Sequence, residues 1–213
     1  AYFLRGSAEL ELGDYESAKA DFDQAISMDP KNYDRLIEIY EALAAHGYRE
    51  VGQEYLQNVL DTAKQLDAYD SGRIYYYLGE YQKAYLALDE ARDKGGADSY
   101  LYLGRAYAAT GDYNYASSVY NNYLSKQGPN AEIYNELGLC EMAKKEYQNA
   151  LAAFQAGKQI EGNSLMQTLC FNEIVAYEYL EDYQQAEVLM NAYLQNYPDD
   201  QTAIREQQFL STR

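Results

Sequence analysis

The chain has 213 residues, and its 34 acidic and 17 basic side chains give a formal net charge of −17 at pH 7. Such a charge repels phosphate backbones, which are bound by clustered lysine and arginine, so we expect no nucleic-acid partner. The chain contains no run of about 18 apolar residues, and we therefore expect it not to insert into a membrane.

The chain begins at Ala1, inside a predicted helix, and no signal sequence precedes that helix. We therefore expect that an upstream segment has been removed. Any export signal or lipid anchor would have been lost with it, so both a cytoplasmic and an extracytoplasmic location stay open.

Composition predicts an all-α protein. Only three prolines interrupt the chain, at Pro30, Pro129 and Pro198, so long helices are possible between them. Of the aromatic residues 26 are Tyr and five are Phe, and Trp is absent. Tyrosine rings suit half-buried positions between helices, where one end of the ring packs and the hydroxyl stays hydrated.

A short motif recurs along the chain with a period of about 34 residues, which is typical of a two-helix repeat. In chain order its copies are Gly13-Asp14-Tyr15, Gly47-Tyr48-Arg49, Gly79-Glu80-Tyr81, Gly111-Asp112-Tyr113, Lys145-Glu146-Tyr147 and Glu181-Asp182-Tyr183. We predict that each copy is the turn between two helices. The predicted hairpins cover residues 1–31, 32–64, 65–96, 97–129, 130–163 and 164–198, and a polar capping helix follows over 199–213.

Small residues recur on both helices of each predicted pair. A mid-helix glycine costs about 1 kcal/mol relative to alanine, so its recurrence indicates close packing of the two helices. We predict that the glycine of the first helix faces the alanine that follows each turn, as Gly104 would face Ala116. In the second pair Tyr40 replaces the glycine and Gly52 replaces the alanine, which predicts an exchange of volume between the helices.

The fourth copy carries the fullest motif, namely Tyr100, Leu103, Gly104, Tyr107, Gly111, Tyr113, Ala116 and Tyr120. On these residues, and on matching positions along nearly the whole chain, the sequence resembles the tetratricopeptide repeat (TPR) family. The resemblance implies a right-handed superhelical α-solenoid of stacked antiparallel helix pairs. It also implies a non-catalytic module that binds a protein or peptide segment with the first helix of each pair, which lines the concave face.

Carrying the family's contact positions onto this chain predicts ten partner-binding residues, namely Ile37, Glu41, Tyr69, Arg73, Tyr76, Leu101, Arg105, Asn135, Leu139 and Phe171. The alternative for the apolar members is packing between neighbouring first helices. Arg73 and Arg105 occupy the same position in consecutive repeats and are expected to stand side by side. They either bind carboxylates of a partner or pair with local acids such as Asp70, Asp98 and Glu132.

The sequence offers few groups for catalysis. His46 is the only histidine, and we predict that it lies at the end of a helix, where a cation interacts favourably with the helix dipole. Cys140 and Cys170 are predicted to be ordinary buried thiols. We therefore expect no enzyme, no metal and no cofactor. Two alternatives to a binding module stay open: a self-associating scaffold within a larger chain, and a peptide-sensing regulatory domain.

Overall fold

A computed structural model describes all residues from 1 to 213 and contains thirteen α-helices. In chain order these are α1 (Tyr2–Glu11), α2 (Tyr15–Met28), α3 (Tyr33–Ala45), α4 (Arg49–Thr62), α5 (Ala68–Tyr77), α6 (Tyr81–Asp93), α7 (Ser99–Ala109), α8 (Tyr113–Gln127), α9 (Ala131–Ala143), α10 (Tyr147–Lys158), α11 (Met166–Tyr179), α12 (Tyr183–Asn196) and α13 (Gln201–Leu210). Successive helices pack as antiparallel pairs, as in a TPR-like solenoid, and the number of helices is consistent with six repeats and a capping helix.

The recurring motif forms the turn within each helix pair. Its first residue has a left-handed backbone, with φ between 77° and 85° at the four glycines, for example Gly111. Lys145 and Glu181 adopt the same conformation with φ of 63° and 61°, although side chains disfavour it. The acid that follows caps the second helix where it is aspartate: Asp112 accepts a hydrogen bond from the backbone N–H of Tyr115.

The glycine of the first helix packs closely against the second helix, but its nearest neighbour differs from the prediction. A Cβ atom added to Gly104 would lie 2.3 Å from ring atoms of Tyr120, and one on Gly138 would lie 2.2 Å from Phe154. The side chain nearest the glycine is therefore the large one a turn beyond the predicted alanine. The volume exchange in the second pair is confirmed, since a Cβ on Gly52 would lie 2.9 Å from the Tyr40 ring.

The chain divides into two compact units, Ala1–Lys94 and Gly95–Arg213. The first unit contains α1 to α6, and its core includes Phe22, Leu43, Leu56 and Ile74. The second unit contains α7 to α13. Its core is built around Tyr120, Phe154, Leu169 and Met190, all fully buried.

The last helix closes the second unit as a cap. Asp200 accepts hydrogen bonds from the backbone N–H groups of Thr202 and Ala203 and from the hydroxyl of Tyr193, the last at 2.6 Å. On α13 only Ala203 and Leu210 are buried. This helix therefore covers the final pair with two apolar side chains and turns a polar face outward, as capping helices of repeat proteins do.

Candidate partner-binding surface

Arg73 of the first unit is held by acids of its own chain. Its side chain is buried, with Nη1 2.5 Å from Asp34 and Nη2 2.5 Å from Asp70, and its guanidinium lies 4.4 Å from the ring centre of Tyr69. Burial lowers the pKa of Arg73, but the hydrogen bonds to the two aspartates outweigh it and leave the pKa above its usual value. Arg73 is therefore paired with acids of its own chain, which is one of the two predicted alternatives.

Two other predicted residues, Glu41 and Tyr76, line one cleft of about 370 Å³ in the first unit. We call it the tyrosine cleft; its lining also includes Tyr40, Ala44, Arg49, Gln53, Tyr77, Leu78, Gly79 and Tyr81. It lies where α3 and α5 end and where α4 and α6 begin. The cleft therefore presents four phenol rings together with one acid and one guanidinium.

Polar contacts orient the side chains of the tyrosine cleft. The hydroxyl of Tyr77 donates to Glu41 Oε1 at 2.6 Å, and Arg49 Nη1 donates to the hydroxyl of Tyr40 at 2.9 Å. The ring of Tyr76 lies 5.2 Å from that of Tyr77, edge to face. Arg49 is exposed and forms no ion pair, so its positive charge can interact with a bound molecule.

Ile37, which was predicted as a partner contact, is buried in this structure. Only 4% of Ile37 is exposed, and it packs with Leu36, Tyr40, Leu56 and Ile74 in the core of the first unit. The side of α3 that carries it is covered by neighbouring helices. Ile37 therefore follows the predicted alternative, packing between helices.

In the second unit, Arg105 is also bound to acids of its own chain. Its Nη2 lies 3.0 Å from Glu132 Oε1 and 2.7 Å from Glu136 Oε1. Burial lowers the pKa of Arg105, and the charges of Glu136 and Glu132 raise it above its usual value. Glu132 was among the expected local partners, whereas Glu136 was not.

The other predicted residues of the second unit differ in accessibility. Leu139 is 43% exposed, so it is open to a partner. Asn135 is buried and accepts a hydrogen bond from Asn172 at 2.9 Å. Leu101 and Phe171 are half-buried; Leu101 packs on the cluster around Tyr120, and Phe171 packs on the cluster around Ile174.

His46 and Cys140, two of the groups considered for catalysis, contact residues of their own chain. His46 follows α3, where its Nδ1 lies 2.8 Å from the carbonyl of Ala42 and its Nε2 3.4 Å from Glu11. Burial raises the pKa of the Cys140 thiol to about 12. No three His, Cys, Asp or Glu side chains are grouped so that they could hold a metal ion. None of the thirteen helices is both long and apolar enough to span a bilayer.

Sequence reasoning missed Arg49 and Tyr40 as members of the tyrosine cleft. It considered only contact positions on the first helix of each pair, whereas this cleft forms where the turns of two neighbouring pairs meet. The concentration of tyrosines at 40, 76, 77 and 81 was the available signal. It could not show that their rings share one cleft.

Residues 1–32 match one family model described as tetratricopeptide repeat, and residues 69–116 and 103–163 match a second model with the same description. Together these segments cover more than half of the chain, which belongs to the TPR family. Proteins of this family are generally non-catalytic scaffolds and typically bind other proteins. Comparison with curated protein sequences gives no match.

Several solved structures share the fold. PilW, described as a widely conserved type IV pilus biogenesis factor, is 18% identical with a TM-score of 0.65, and the alignment covers 98% of this chain and 96% of PilW. YrrB, a TPR protein with an unusual peptide-binding site, is 18% identical with a TM-score of 0.58 over 88% of this chain and 97% of YrrB. A chain of the APC/C hetero-tetramer Cut9-Hcn1 is 17% identical, with a TM-score of 0.63 over 99% of this chain. This chain spans only 42% of that protein.

Proposed function

We propose that this chain is a non-catalytic module that binds a protein or peptide segment, and that the tyrosine cleft of the first unit is a principal contact. The supporting observation is the meeting of two predicted contact residues, Glu41 and Tyr76, in an open cleft with three further tyrosines. Tyrosine provides a large, rigid contact area with little loss of conformational entropy, and it is enriched at binding hot spots.

The chemistry of the cleft indicates what kind of segment fits. The rings of Tyr76 and Tyr81 provide apolar faces for one side chain of the partner. Glu41 can accept hydrogen bonds, and Arg49 can donate them, so the polar main chain beside that side chain has both an acceptor and a donor in the cleft. We therefore expect a short segment with one aromatic or aliphatic anchor.

The two arginines have a different role in this proposal. Arg73 and Arg105 each bind two carboxylates of the same chain, so a partner's carboxylate would compete with acids that are already in place. We propose that they fix the spacing of neighbouring first helices. Leu139 is the accessible candidate of the second unit.

A peptide selection tests the proposal. A random peptide library is panned on the full chain, and the affinity of selected peptides is measured by fluorescence anisotropy for wild type and for Tyr76→Ala. We expect a loss of at least tenfold, since truncating an interface aromatic commonly costs about 2 kcal/mol or more. Tyr76→Phe should keep most of the affinity.

Leu86→Ala is the matched control for this experiment. Leu86 lies on α6 of the same unit, is 68% exposed and does not line the tyrosine cleft. Its truncation should change affinity less than twofold. If every selected peptide binds Tyr76→Ala as well as wild type, while the variant's urea midpoint is unchanged, the tyrosine cleft is not the site.

Self-association is a second candidate function, favoured by apolar side chains exposed on the first hairpin. Leu4, Leu12 and Met28 are 70%, 85% and 67% exposed. Sedimentation equilibrium of wild type and Leu4→Ser/Leu12→Ser tests this candidate. A concentration-dependent dimer that the double variant abolishes supports it, and a monomer at all concentrations refutes it.

A further inference from the structure

A second cleft, of about 570 Å³, lies in the first unit where two connections between helix pairs come together. We call it the turn cleft; it is lined by Pro30, Lys31, Tyr33, Val59, Thr62, Ala63, Lys64 and Gln65. Pro30 and Lys31 join α2 to α3, Tyr33 begins α3, and the others end α4 and begin the connection to α5. Its volume lies in the range of ligand-binding pockets.

The turn cleft carries two lysines that form no ion pair. Of the nine lysines, only Lys31, Lys64, Lys126 and Lys145 form no ion pair. Two of these four line the same cleft, and both are exposed. Two unpaired ammonium groups beside one cleft attract an anionic group, and the surrounding net charge of −17 makes this positive spot distinct.

The turn cleft is separate from the tyrosine cleft. Tyr33 begins α3 and lines the turn cleft, whereas Glu41 and Ala44 lie near the end of α3 and line the tyrosine cleft. At 1.5 Å per residue along α3, Tyr33 lies roughly 12 Å from Glu41 and roughly 17 Å from Ala44. A ligand in one cleft therefore leaves the other accessible.

We propose that the turn cleft binds an acidic peptide segment in which a carboxylate neighbours an apolar side chain. Val59, Ala63 and Pro30 provide apolar contacts for that side chain, and the ammonium groups of Lys31 and Lys64 pair with the carboxylates. Polar groups of Thr62 and Gln65 interrupt the apolar surface and can bind a peptide main chain. These polar groups favour a peptide over an acyl chain, because an acyl chain would require a continuous apolar lining. Binding at the turn cleft is independent of the tyrosine cleft, since the two share no lining residue.

The test uses the full chain and a fluorescein-labelled octapeptide of alternating Glu and Leu, with affinity measured by fluorescence anisotropy. The double variant Lys31→Glu/Lys64→Glu should weaken binding at least tenfold, and Lys31→Gln/Lys64→Gln should weaken it less. The matched control, Lys126→Glu/Lys145→Glu, changes the net charge equally at the other two unpaired lysines and should change affinity less than twofold. Tyr76→Ala should also leave this binding intact, which separates this test from that of the proposed function.

Two further peptides define what is recognised. Replacing Glu by Gln in the octapeptide removes the charges, and replacing Leu by Ser removes the apolar side chains; each change should weaken binding at least tenfold. Equal weakening by the two charge reversals would show that only net charge matters and would overturn the proposal. So would the absence of binding at millimolar peptide, or binding of decanoate without binding of the octapeptide. Circular dichroism checks that the exposed substitutions leave the helices intact.

Discussion

Replacing Arg73 by Met tests whether this residue supports the fold or contacts a partner. Methionine keeps the length of the side chain but removes its charge and its hydrogen bonds. Two acids lose their partner. The Asp34 side chain is 78% exposed and stays hydrated, whereas that of Asp70 is only 18% exposed and would keep a poorly solvated charge.

The expected loss of stability follows from these environments. Leaving the largely buried carboxylate of Asp70 without its partner costs about 1 to 3 kcal/mol. Losing the cation–π contact with Tyr69, at 4.4 Å, adds about 0.5 to 1 kcal/mol. We therefore expect Arg73→Met to lower the free energy of unfolding by about 2 to 4 kcal/mol, as measured by urea unfolding followed by circular dichroism.

The pH dependence of this variant gives an independent check. Burial raises the pKa of Asp70, while Arg73 opposes that rise. Without Arg73 the pKa should rise further, so the protonated acid is favoured in the folded state and stability is lost as pH increases through that pKa. The deficit of Arg73→Met relative to wild type should therefore be smaller at pH 5 than at pH 8.

Arg35→Met is the control, because its side chain is 37% exposed, pairs with Glu38 one turn away and lies 4.3 Å from the ring centre of Phe3. It therefore loses a cation–π contact like that of Arg73 without leaving a buried acid unpaired, and its loss should not exceed about 1 kcal/mol. A structural role for Arg73 is refuted if Arg73→Met keeps the wild-type urea midpoint and yet loses the peptides selected by panning. That result would make the Arg73 guanidinium a partner contact.

Two further predictions concern packing and pH. Gly138→Ala should destabilise the chain by about 1 to 2 kcal/mol in urea unfolding, because its Cβ would lie 2.2 Å from the buried Phe154 ring and overpacking outweighs the gain in helix propensity. Gly157→Ala should cost less, because its Cβ would lie 3.0 Å from the end of the Leu169 side chain and 3.2 Å from the Cβ of Tyr134, so these neighbours need to shift only slightly. The pKa of Glu178 is raised to about 7, first by burial and then by the charge of Glu206 and a hydrogen bond to Glu206. The protonated acid is therefore favoured in the folded state, so the contribution of Glu178 to stability is present below about pH 4.5 and is lost as pH rises through 7. The free energy of unfolding of wild type relative to Glu178→Gln should therefore fall by about 1 to 2 kcal/mol between pH 5 and pH 8; this is less than the full pKa shift would give, because Glu178 is partly exposed. An unchanged difference would refute the raised pKa of Glu178.

The turns between paired helices could be predicted because their chemistry is local. A left-handed residue followed by a capping acid needs only neighbouring backbone groups, as Gly111 and Asp112 show. Even Lys145 and Glu181 adopt this conformation, since the repeat frame requires it. The exchange between Tyr40 and Gly52 was also predictable, because volume has to be conserved across one helix contact.

The residues that contact the glycines and the burial of Ile37 were less predictable. Helical spacing shows which residues share a face, but it does not show how far a ring extends, so the contact between Gly104 and Tyr120 was missed. It also does not show how much of a helix is covered by its neighbours. Ile37 satisfied the contact pattern, yet it lies on the covered part of α3.

Ion pairs within the chain decide which of the predicted binding residues are accessible to a partner. Cations without an ion pair indicate where an acidic partner could bind. An excess of acids gives each cation many possible partners, so sequence alone could not decide whether Arg73 or Arg105 was available. In the structure both are occupied, and Lys158 is paired with the buried Glu173 in the same way. Although acids outnumber cations two to one, several cations form no ion pair. Arg49 and the lysines of the turn cleft are among these cations and line clefts, so an acidic partner that binds there would meet charges that the fold itself does not use.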